Sequence, residues 1–497
     1  MSANPKKTKI VFTIGPATQD EAVLERLFAA GVNVCRINAA HADCAAIQAA
    51  IRKIQKLNEK LGTFVSTMVD IKGPEIRTGE IIEHGEQNVE LKSTELTPGQ
   101  ELYIVIGAAP KLPVGMLSVG VNYPGIVDDV TLGQKLLLDN GLIELEIIAL
   151  NSDGIGCKVL IGGHLGQKRH LNLPGVYIRL PSITDKDRSD SKAAVEAGVD
   201  FIALSFVRCA RDVMTLRSFL GEIGSNAKII AKIEDHSGVR NLEEIVKAAD
   251  SIMVARGDLG IETPIEQIPR EQARMTELCK RYAKPVVIAT HMLESMIQSP
   301  IPTRAEVSDI AHAVSADQAD AIMLSGETGV GKYPVECVQM MARVACSEEA
   351  YALLERQQDY PLRDTKERLI AAAADLALSV GGAPIMVFTR DGLSAKLLSS
   401  LRPGRCHLYA CTDSASIARE MSLYWGVEPV YLELGDHQMT EEFAINAAIR
   451  KLSLSGNLTD GQSVVVLAKT KVTQANGRES MVDSLHVRKV YHSQLAE

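Results

Sequence analysis

At 497 residues the chain is too long for one compact core and long enough for a large barrel plus one or two smaller domains. Hydrophobic residues make up 46% and charged residues 23%, an ordinary globular composition, and no run of about 18 apolar residues exists to span a bilayer, which excludes a membrane-spanning helix. The net charge of −9 opposes nucleic acid, so a site for an anionic ligand has to be a local island of arginine and lysine.

The first residues, MSANPKKTKIVFTIGP, pass from a polar stretch straight into a strand-like run with no signal-peptide core, and the last, HSQLAE, are not a peroxisomal tripeptide, so a cytoplasmic location is expected. Eight β-branched apolar runs then recur, most separated by helical stretches. They are KIVFT ending at Thr13, VNVCRIN from Val32, STMVD ending at Asp70, FIALSF from Phe201, KIIAKIE from Lys228, SIMVARGD from Ser251, PVVIAT ending at Thr290 and AIMLSG from Ala321. Repeated βα units of this kind predict an α/β fold, a (β/α)8 TIM barrel, over 1–74 and 172–350.

Between Asp70 and Phe201 lies more chain than a crossover helix needs, and residues 75–171 are expected to form an inserted small β-barrel or sandwich, read as a β-barrel lid. Within it GQELYIVIG and KLLLDNGLIELEIIALNSDGIGCKVLIGG alternate apolar and polar residues around Asp-Asn-Gly and Ser-Asp-Gly turns, which predicts antiparallel pairing. From 351 to 497 helices alternate with the strands APIMVFT, CHLYACT, VEPVYL, SVVVLAKT and LHVRKV, a C-terminal open α/β domain. The nine cysteines show no CxxC pair and read as reduced thiols, with Cys406 and Cys411 close enough in sequence to be neighbours in space.

In such barrels the C-terminal strand ends carry the chemistry. Here they read Arg36-Ile37-Asn38, Asp70-Ile71-Lys72-Gly73, Lys232-Ile233-Glu234, Arg256-Gly257-Asp258, Thr290-His291 and Ser325-Gly326-Glu327-Thr328. Lys232 and Glu234, two apart on one strand, point to the same side, and the next strand supplies Asp258. Two carboxylates and a lysine at one rim are costly to bury unless a divalent cation and an anion complete the charge balance, which points to Mg2+ beside a phosphate.

The runs TIGP at 13–16, RIN at 36–38, DIKGPEIRTG at 70–79, NLPG at 172–175, KIED at 232–235, MVARGDLGIE at 253–262, ATHMLESM at 289–296, PTRAEVSDIAHAV at 302–314 and MLSGET at 323–328 closely resemble pyruvate kinase. The resemblance implies transfer of the phosphoryl group of phosphoenolpyruvate to ADP, giving pyruvate and ATP. It implies that Glu234 and Asp258 hold Mg2+ or Mn2+, that Lys232 faces the moving phosphoryl group and that Arg36 binds the substrate phosphate. The amides of Gly257 and Asp258 with Thr290 would take the substrate carboxylate, Thr290 lying also near the protonation route. On the nucleotide side stand Arg77, Arg169, His41 and Asn38, and the family's homotetramer is expected, with His312 in its interface helix.

Several positions depart from the family pattern. The family's K+ site would draw on Asn38, Asp70 and the Ile71 carbonyl, but Ala40 lacks the usual hydroxyl, so K+ is expected at a weakened site. His291 replaces a glutamine and Asn140 an aspartate. In the stretch 389–394, where relatives bind a sugar bisphosphate, Asp391 places a negative charge, and the last loop, 469–484, lacks the usual glycine-rich form. Residues 326–332 match most of a phosphate-binding P-loop, although Tyr333 stands where the metal-binding hydroxyl belongs. With Ala39, Ala40 and His291 close to the chemistry, a catalytically weakened paralogue with a binding or regulatory role is the alternative expectation.

Overall fold

Eight short apolar strands pair in parallel and close on themselves, each bonded to its neighbours in sequence and the last to the first. This computed structural model describes residues 6–107, 111–351, 360–433, 441–473 and 479–491; the chain's last six residues and the middle of the loop at 469–484 lie outside that range. The barrel strands are Lys9–Thr13, Val34–Asn38, Ser66–Ile71, Phe201–Leu204, Lys228–Ile233, Ser251–Ala255, Val286–Ala289 and Ala321–Met323. All eight fall on the runs seen in the sequence: six have their ends trimmed, Lys9–Thr13 matches its run, and Ser66–Ile71 extends one residue beyond Asp70. The fourth stops before Phe206, whose φ is 54°, and the seventh before Thr290, at φ 71°, because a positive φ takes the backbone out of the extended region.

Period-two alternation decides what each strand residue touches. Ile10, Phe12, Cys35, Ile37, Val69 and Ile71 pack outward with the surrounding helices. Val11, Val34, Met68, Ala203, Ile230 and Met253 belong to a second cluster that fills the interior and runs on into Ile370, Val387, Leu398 and Leu408 of the C-terminal domain. Two residues further along the same alternation come Thr13, Arg36, Asp70, Ser205 and Lys232. The barrel is therefore apolar at its floor and charged at its mouth.

The helices start and stop on local signals. Asp43 accepts the amide of Ala46 at 2.8 Å to cap the helix Cys44–Leu61, and Gly62, at φ 65°, ends it in the left-handed region that glycine tolerates.

The insert carries an eight-stranded sheet and a separate two-stranded one. Lys135–Leu138 and Ile143–Asn151 form a hairpin across Asp139, Asn140 and Gly141, all at positive φ, and Ile143–Asn151 pairs onward with Gly154–Ile161. The pairing is not wholly antiparallel: Glu101–Val105 runs parallel to Leu117–Val121, since the chain between them is long enough for a crossover rather than a tight turn. The sheet curls back on itself where Arg77 bridges His170 and the Leu171 amide donates to Ile76.

The C-terminal sheet orders its strands Val427–Tyr431, Leu408–Thr412, Ile385–Phe388, Ser463–Thr473 and Glu479–Lys489, parallel except for the final pair. Cys406 and Cys411 are buried free thiols that pack in different apolar clusters.

This domain is docked on the barrel floor through polar contacts as well as the shared core. Lys9 Nζ donates to the Val427 carbonyl at 2.6 Å, and the fully buried Arg402 pairs with Asp320 at 2.9 Å. Burial at this junction pushes Lys6 down to about 7 and Lys7, Lys9, Lys280 and Lys284 to about 8. A lysine depressed in this way is charged in both states below pH 8 and destabilises the fold there; between pH 8 and its ordinary 10.5 the folded chain gives up the proton first and the penalty fades. Lys280→Met is accordingly expected to raise Tm at pH 7 in calorimetry, with the gain shrinking as pH rises through 8 to 10.5; a gain independent of pH would contradict this.

Candidate active site

At the barrel mouth four charged side chains interlock. Arg36 Nε donates to Asp70 Oδ2 at 2.7 Å and its Nη1 to the Thr13 hydroxyl at 3.1 Å. Lys232 Nζ lies 3.1 Å from Asp70 Oδ1, 2.8 Å from Glu234 Oε1 and donates to Ser205 Oγ at 2.7 Å. The strand register builds this set: Asn38 pairs with Asp70, Asp70 with Ala203, and Leu204 with Ala231, so the inward residues of four consecutive strands meet.

Electrostatics separates the two carboxylates. Burial would raise Asp70, but Lys232 and Arg36 outweigh it and hold the carboxyl below its usual range. Burial raises Glu234 to about 7, Asp258 adding to the rise while Lys232 opposes it. Lys232 is itself raised because Asp70 and Glu234 overcome its own desolvation. Asp70 is thus the permanent anion of the cluster, and Glu234 is a carboxylate short of positive charge. A divalent cation beside Glu234 and Asp258 would supply that charge. Mg2+ takes one or two carboxylates and fills its shell with substrate oxygens and water, a demand that Glu234 and Asp258 could meet.

The Glu234 carboxylate is aimed by Phe206, whose amide donates to Oε2 at 2.7 Å from its left-handed conformation. Across the mouth, Asp258 lies in the short helix Arg256–Glu262. The Gly257 amide donates to Thr290 Oγ1 at 2.9 Å, and that hydroxyl donates to the Ala289 carbonyl at 2.6 Å. Both Thr290 and His291 sit at positive φ, a strained pair fixed by Arg256, which donates to the Thr290 carbonyl at 2.5 Å and to Asp309 at 2.7 Å. Gly257, Asp258 and His291 open on a cavity of about 660 Å³.

A second cleft, of about 270 Å³, separates the insert from the mouth. Arg77, Lys168, Arg169 and His170 line it on one side and Asp258 on the other. Arg77 is held by Glu75 at 2.6 Å and by the Lys168 carbonyl at 2.9 Å, while Arg169 faces Asp139 at 3.4 Å. Burial keeps His170 below the usual histidine range. Asn38, which ends the second strand, and His41, on the loop after it, are not among the residues lining this cleft; Asn38 Oδ1 accepts the Ala40 amide at 3.1 Å and His41 is exposed.

The donors expected for K+ are largely engaged already. Asp70 serves Arg36 and Lys232, and the Ile71 carbonyl accepts the Ser205 hydroxyl at 2.8 Å. Lys72 Nζ lies 3.3 Å from Glu75. With no hydroxyl at Ala40, the set fits a monovalent ion poorly.

Four participants escaped the sequence reading: Thr13, Ser205, Phe206 and Asp309. Each is an ordinary residue in isolation. Ser205 alone carried a usable signal, as the polar residue closing the fourth apolar strand.

The P-loop-like run is not a phosphate cradle. The amides of Gly329, Val330, Gly331 and Lys332 donate to the carbonyls of Ser325, Gly326, Gly326 and Ile297. Glu327 is fully buried, accepting the amides of Leu293 and Ser325, and Thr328 bonds back to Thr13. At 389–394, Asp391 accepts the Leu393 amide at 3.1 Å and the Thr389 hydroxyl at 3.2 Å, so the chain supplies its own anion at that helix start. Lys332→Ala should leave the KM for ADP within about twofold of wild type in a coupled assay, since an exposed surface change usually costs under about 0.5 kcal/mol; a tenfold rise would restore the P-loop reading.

The pyruvate kinase barrel-domain family matches residues 5–338, and the pyruvate kinase alpha/beta-domain family matches 367–485. A pyruvate kinase of Geobacillus stearothermophilus is 39% identical over 96% of this chain and 80% of its own length. Plastidial pyruvate kinase 3, chloroplastic, of Arabidopsis thaliana is 38% identical over 98% of this chain and 82% of its own. A crystal structure of a pyruvate kinase from Cryptosporidium parvum superposes with a TM-score of 0.85 at 33% identity, covering 96% of both chains. The barrel, the charged mouth and these matches agree, and the chain belongs to the pyruvate kinase family.

Proposed function

We propose that the chain transfers the phosphoryl group of phosphoenolpyruvate to ADP, giving pyruvate and ATP, with the barrel mouth as the reaction site. The observation that carries this reading is the Lys232 ammonium, buried at the mouth and shared among Asp70, Glu234 and the Ser205 hydroxyl. In the loose transition state of phosphoryl transfer, negative charge spreads over the equatorial oxygens, and a positioned ammonium stabilises that charge without reorganising.

Arg36, anchored by Asp70 and Thr13, binds the substrate phosphate. The Gly257 and Asp258 amides with the Thr290 hydroxyl take the carboxylate, the Gly257 amide exchanging its bond to Thr290 for one to substrate. Thr290 also lies on the route by which the enolate is protonated. Arg77 and Arg169 meet the ADP phosphates in the cleft under the insert, Asn38 and His41 standing further out on the nucleotide side. Closing the insert over that cleft excludes water from the transferring group.

Pyruvate kinases as a family use Mg2+ and K+. In this chain Glu234 and Asp258 would hold Mg2+ or Mn2+, which as a Lewis acid stabilises charge on the substrate oxygens. Asn38, Asp70 and the Ile71 carbonyl would hold K+, weakly beside Ala40. No helix among the described residues is long and apolar enough to cross a membrane. A cytoplasmic homotetramer completes the proposal. No observation favours the weakened paralogue, since Arg36, Lys232, Glu234, Asp258 and Thr290 are all present around one mouth.

Purified chain should form pyruvate from phosphoenolpyruvate and ADP with Mg2+, and Ala40→Ser should lower the K+ concentration for half-maximal rate several-fold. Folded protein that makes no pyruvate, with or without K+, would sink the assignment. An unchanged K+ response in Ala40→Ser would remove the weakened cation site instead.

A further inference from the structure

The reaction proposed for the mouth needs two events together: closure of the insert over the nucleotide cleft, and a substrate carboxylate seated on the Gly257 and Asp258 amides. One short element touches both sides. The helix Arg256–Glu262 presents Gly257 and Asp258 at its start, where the Gly257 amide meets Thr290 Oγ1 at 2.9 Å. At its end Glu262 Oε1 accepts the Asn172 side-chain amide at 2.8 Å. Asn172 still belongs to the sheet of the insert, Leu171 and Asn172 pairing with Leu138 and Leu137. The hairpin that follows Leu138 reaches the same helix a second time, a Cβ at Gly141 falling 3.5 Å from the Ile261 side chain.

The surroundings of Asn172 and Glu262 leave these two groups to satisfy each other. Asn172 is 3% exposed, and its Oδ1 has no hydrogen-bond partner among the described residues. Burial pushes the Glu262 carboxyl up to about 7; the bond from Asn172 opposes the rise, and Asp235 and Asp258 add to it. Arg208, which lines the same small cavity, is engaged by the Ile178 and Leu180 carbonyls and by Asp212. The Asp235 carboxylate accepts the Gly238 amide at 2.7 Å, and burial holds His170 below the usual histidine range. In its protonated form Glu262 donates as well as accepts, so it can meet the open Asn172 Oδ1 and close a two-bond pair.

Resting on the phosphoryl-transfer reading above, we propose that Asn172 and Glu262 are positioning residues that couple the insert to the mouth. Through them a nucleoside diphosphate under the insert and a carboxylate on the Gly257 and Asp258 amides tighten each other's binding. The connecting helix has seven residues, is about 10 Å long and moves as one piece. When the insert closes, Leu171 and Asn172 move with its sheet, and the bond to Glu262 carries that movement to the two amides at the other end. Arg77 and Arg169, which meet the nucleotide in that reading, lie beside this tie, the Leu171 amide donating to the Ile76 carbonyl at 2.9 Å. Linkage makes the effect reciprocal: what the nucleotide does for the carboxylate, the carboxylate does for the nucleotide.

The test is calorimetric titration of the full chain with ADP in the presence of Mg2+, with and without saturating oxalate, a planar dicarboxylate the size of the pyruvate enolate; this pair of ligands does not turn over. In wild type, oxalate should tighten ADP at least about fivefold, the lower end of ordinary coupling between sites. Glu262→Met and Asn172→Ala should each bring that ratio to within about twofold of one, with the affinity for oxalate alone within about threefold of wild type, which reports a folded mouth. Glu262→Gln, able both to accept from Asn172 and to donate to it, should keep the ratio, and the double variant should lose no more than either single one. A ratio of one in wild type, a ratio unchanged in Glu262→Met and Asn172→Ala, or Glu262→Gln as poor as Glu262→Met would overturn the proposal. So would loss of oxalate binding in both Glu262→Met and Asn172→Ala, since the pair would then hold the mouth itself and not its tie to the insert. Wild-type chain that makes pyruvate without this coupling would sink the tie alone; chain that shows the coupling and makes no pyruvate would sink the reaction instead.

Discussion

The structure turns on one buried carboxylate. Asp70 holds Arg36 with one oxygen and Lys232 with the other, and without it Arg36 would lose its ion pair above an apolar barrel interior and Lys232 would be left with Glu234 alone. Removing one partner of such a buried set costs about 3–5 kcal/mol, because the remaining charges stay desolvated. The same carboxylate fixes where the cations point. Arg36 and Lys232 are presented to the mouth as a rigid pair, already desolvated and already oriented, so little reorganisation remains for an incoming phosphate.

Around that anchor the site is built by contrast. Asp70 is pinned in its charged form by two cations, whereas Glu234, pressed by burial and by Asp258, is left seeking one more positive charge. The first carboxylate is structural and the second is open to a metal. Backbone strain supports the same division: Phe206 and Thr290 take left-handed conformations where one aims Glu234 and the other sets a hydroxyl against the Gly257 amide. Strain of this kind persists only where surrounding bonds over-determine it, and Arg256, tied to Asp309 and to the Thr290 carbonyl, provides them on the second side.

Much of this was legible in the residues. Eight β-branched apolar runs located the barrel strands, and their charged C-terminal ends marked Arg36, Asp70 and Lys232 as rim residues. Asp-Asn-Gly marked the hairpin in the insert. What the sequence concealed was set by tertiary pairing. No local pattern says that Leu117–Val121 runs parallel to Glu101–Val105, or that Ser205 would bond Lys232. The run at 326–332 misled in the opposite way: its glycines serve close packing, a Cβ at Gly331 falling 2.3 Å from the Glu327 carbonyl oxygen, and the amides of 329–332 are consumed by the carbonyls of Ser325, Gly326 and Ile297. The residues expected to bind K+ could be named from the resemblance, but the engagement of Asp70 with Arg36 and Lys232 and of the Ile71 carbonyl with Ser205 could not.

The proposed function divides labour: Lys232 would meet the transferring phosphoryl group, and Glu234 with Asp258 would hold the divalent ion. The most direct measurement pairs Mn2+ binding by electron paramagnetic resonance with the rate of pyruvate formation in Lys232→Met. The account predicts Mn2+ binding retained and kcat lowered about 10²–10³-fold, the size of effect seen when one positioned transition-state donor is removed. A Lys232→Met variant that turns over at the wild-type rate would contradict it.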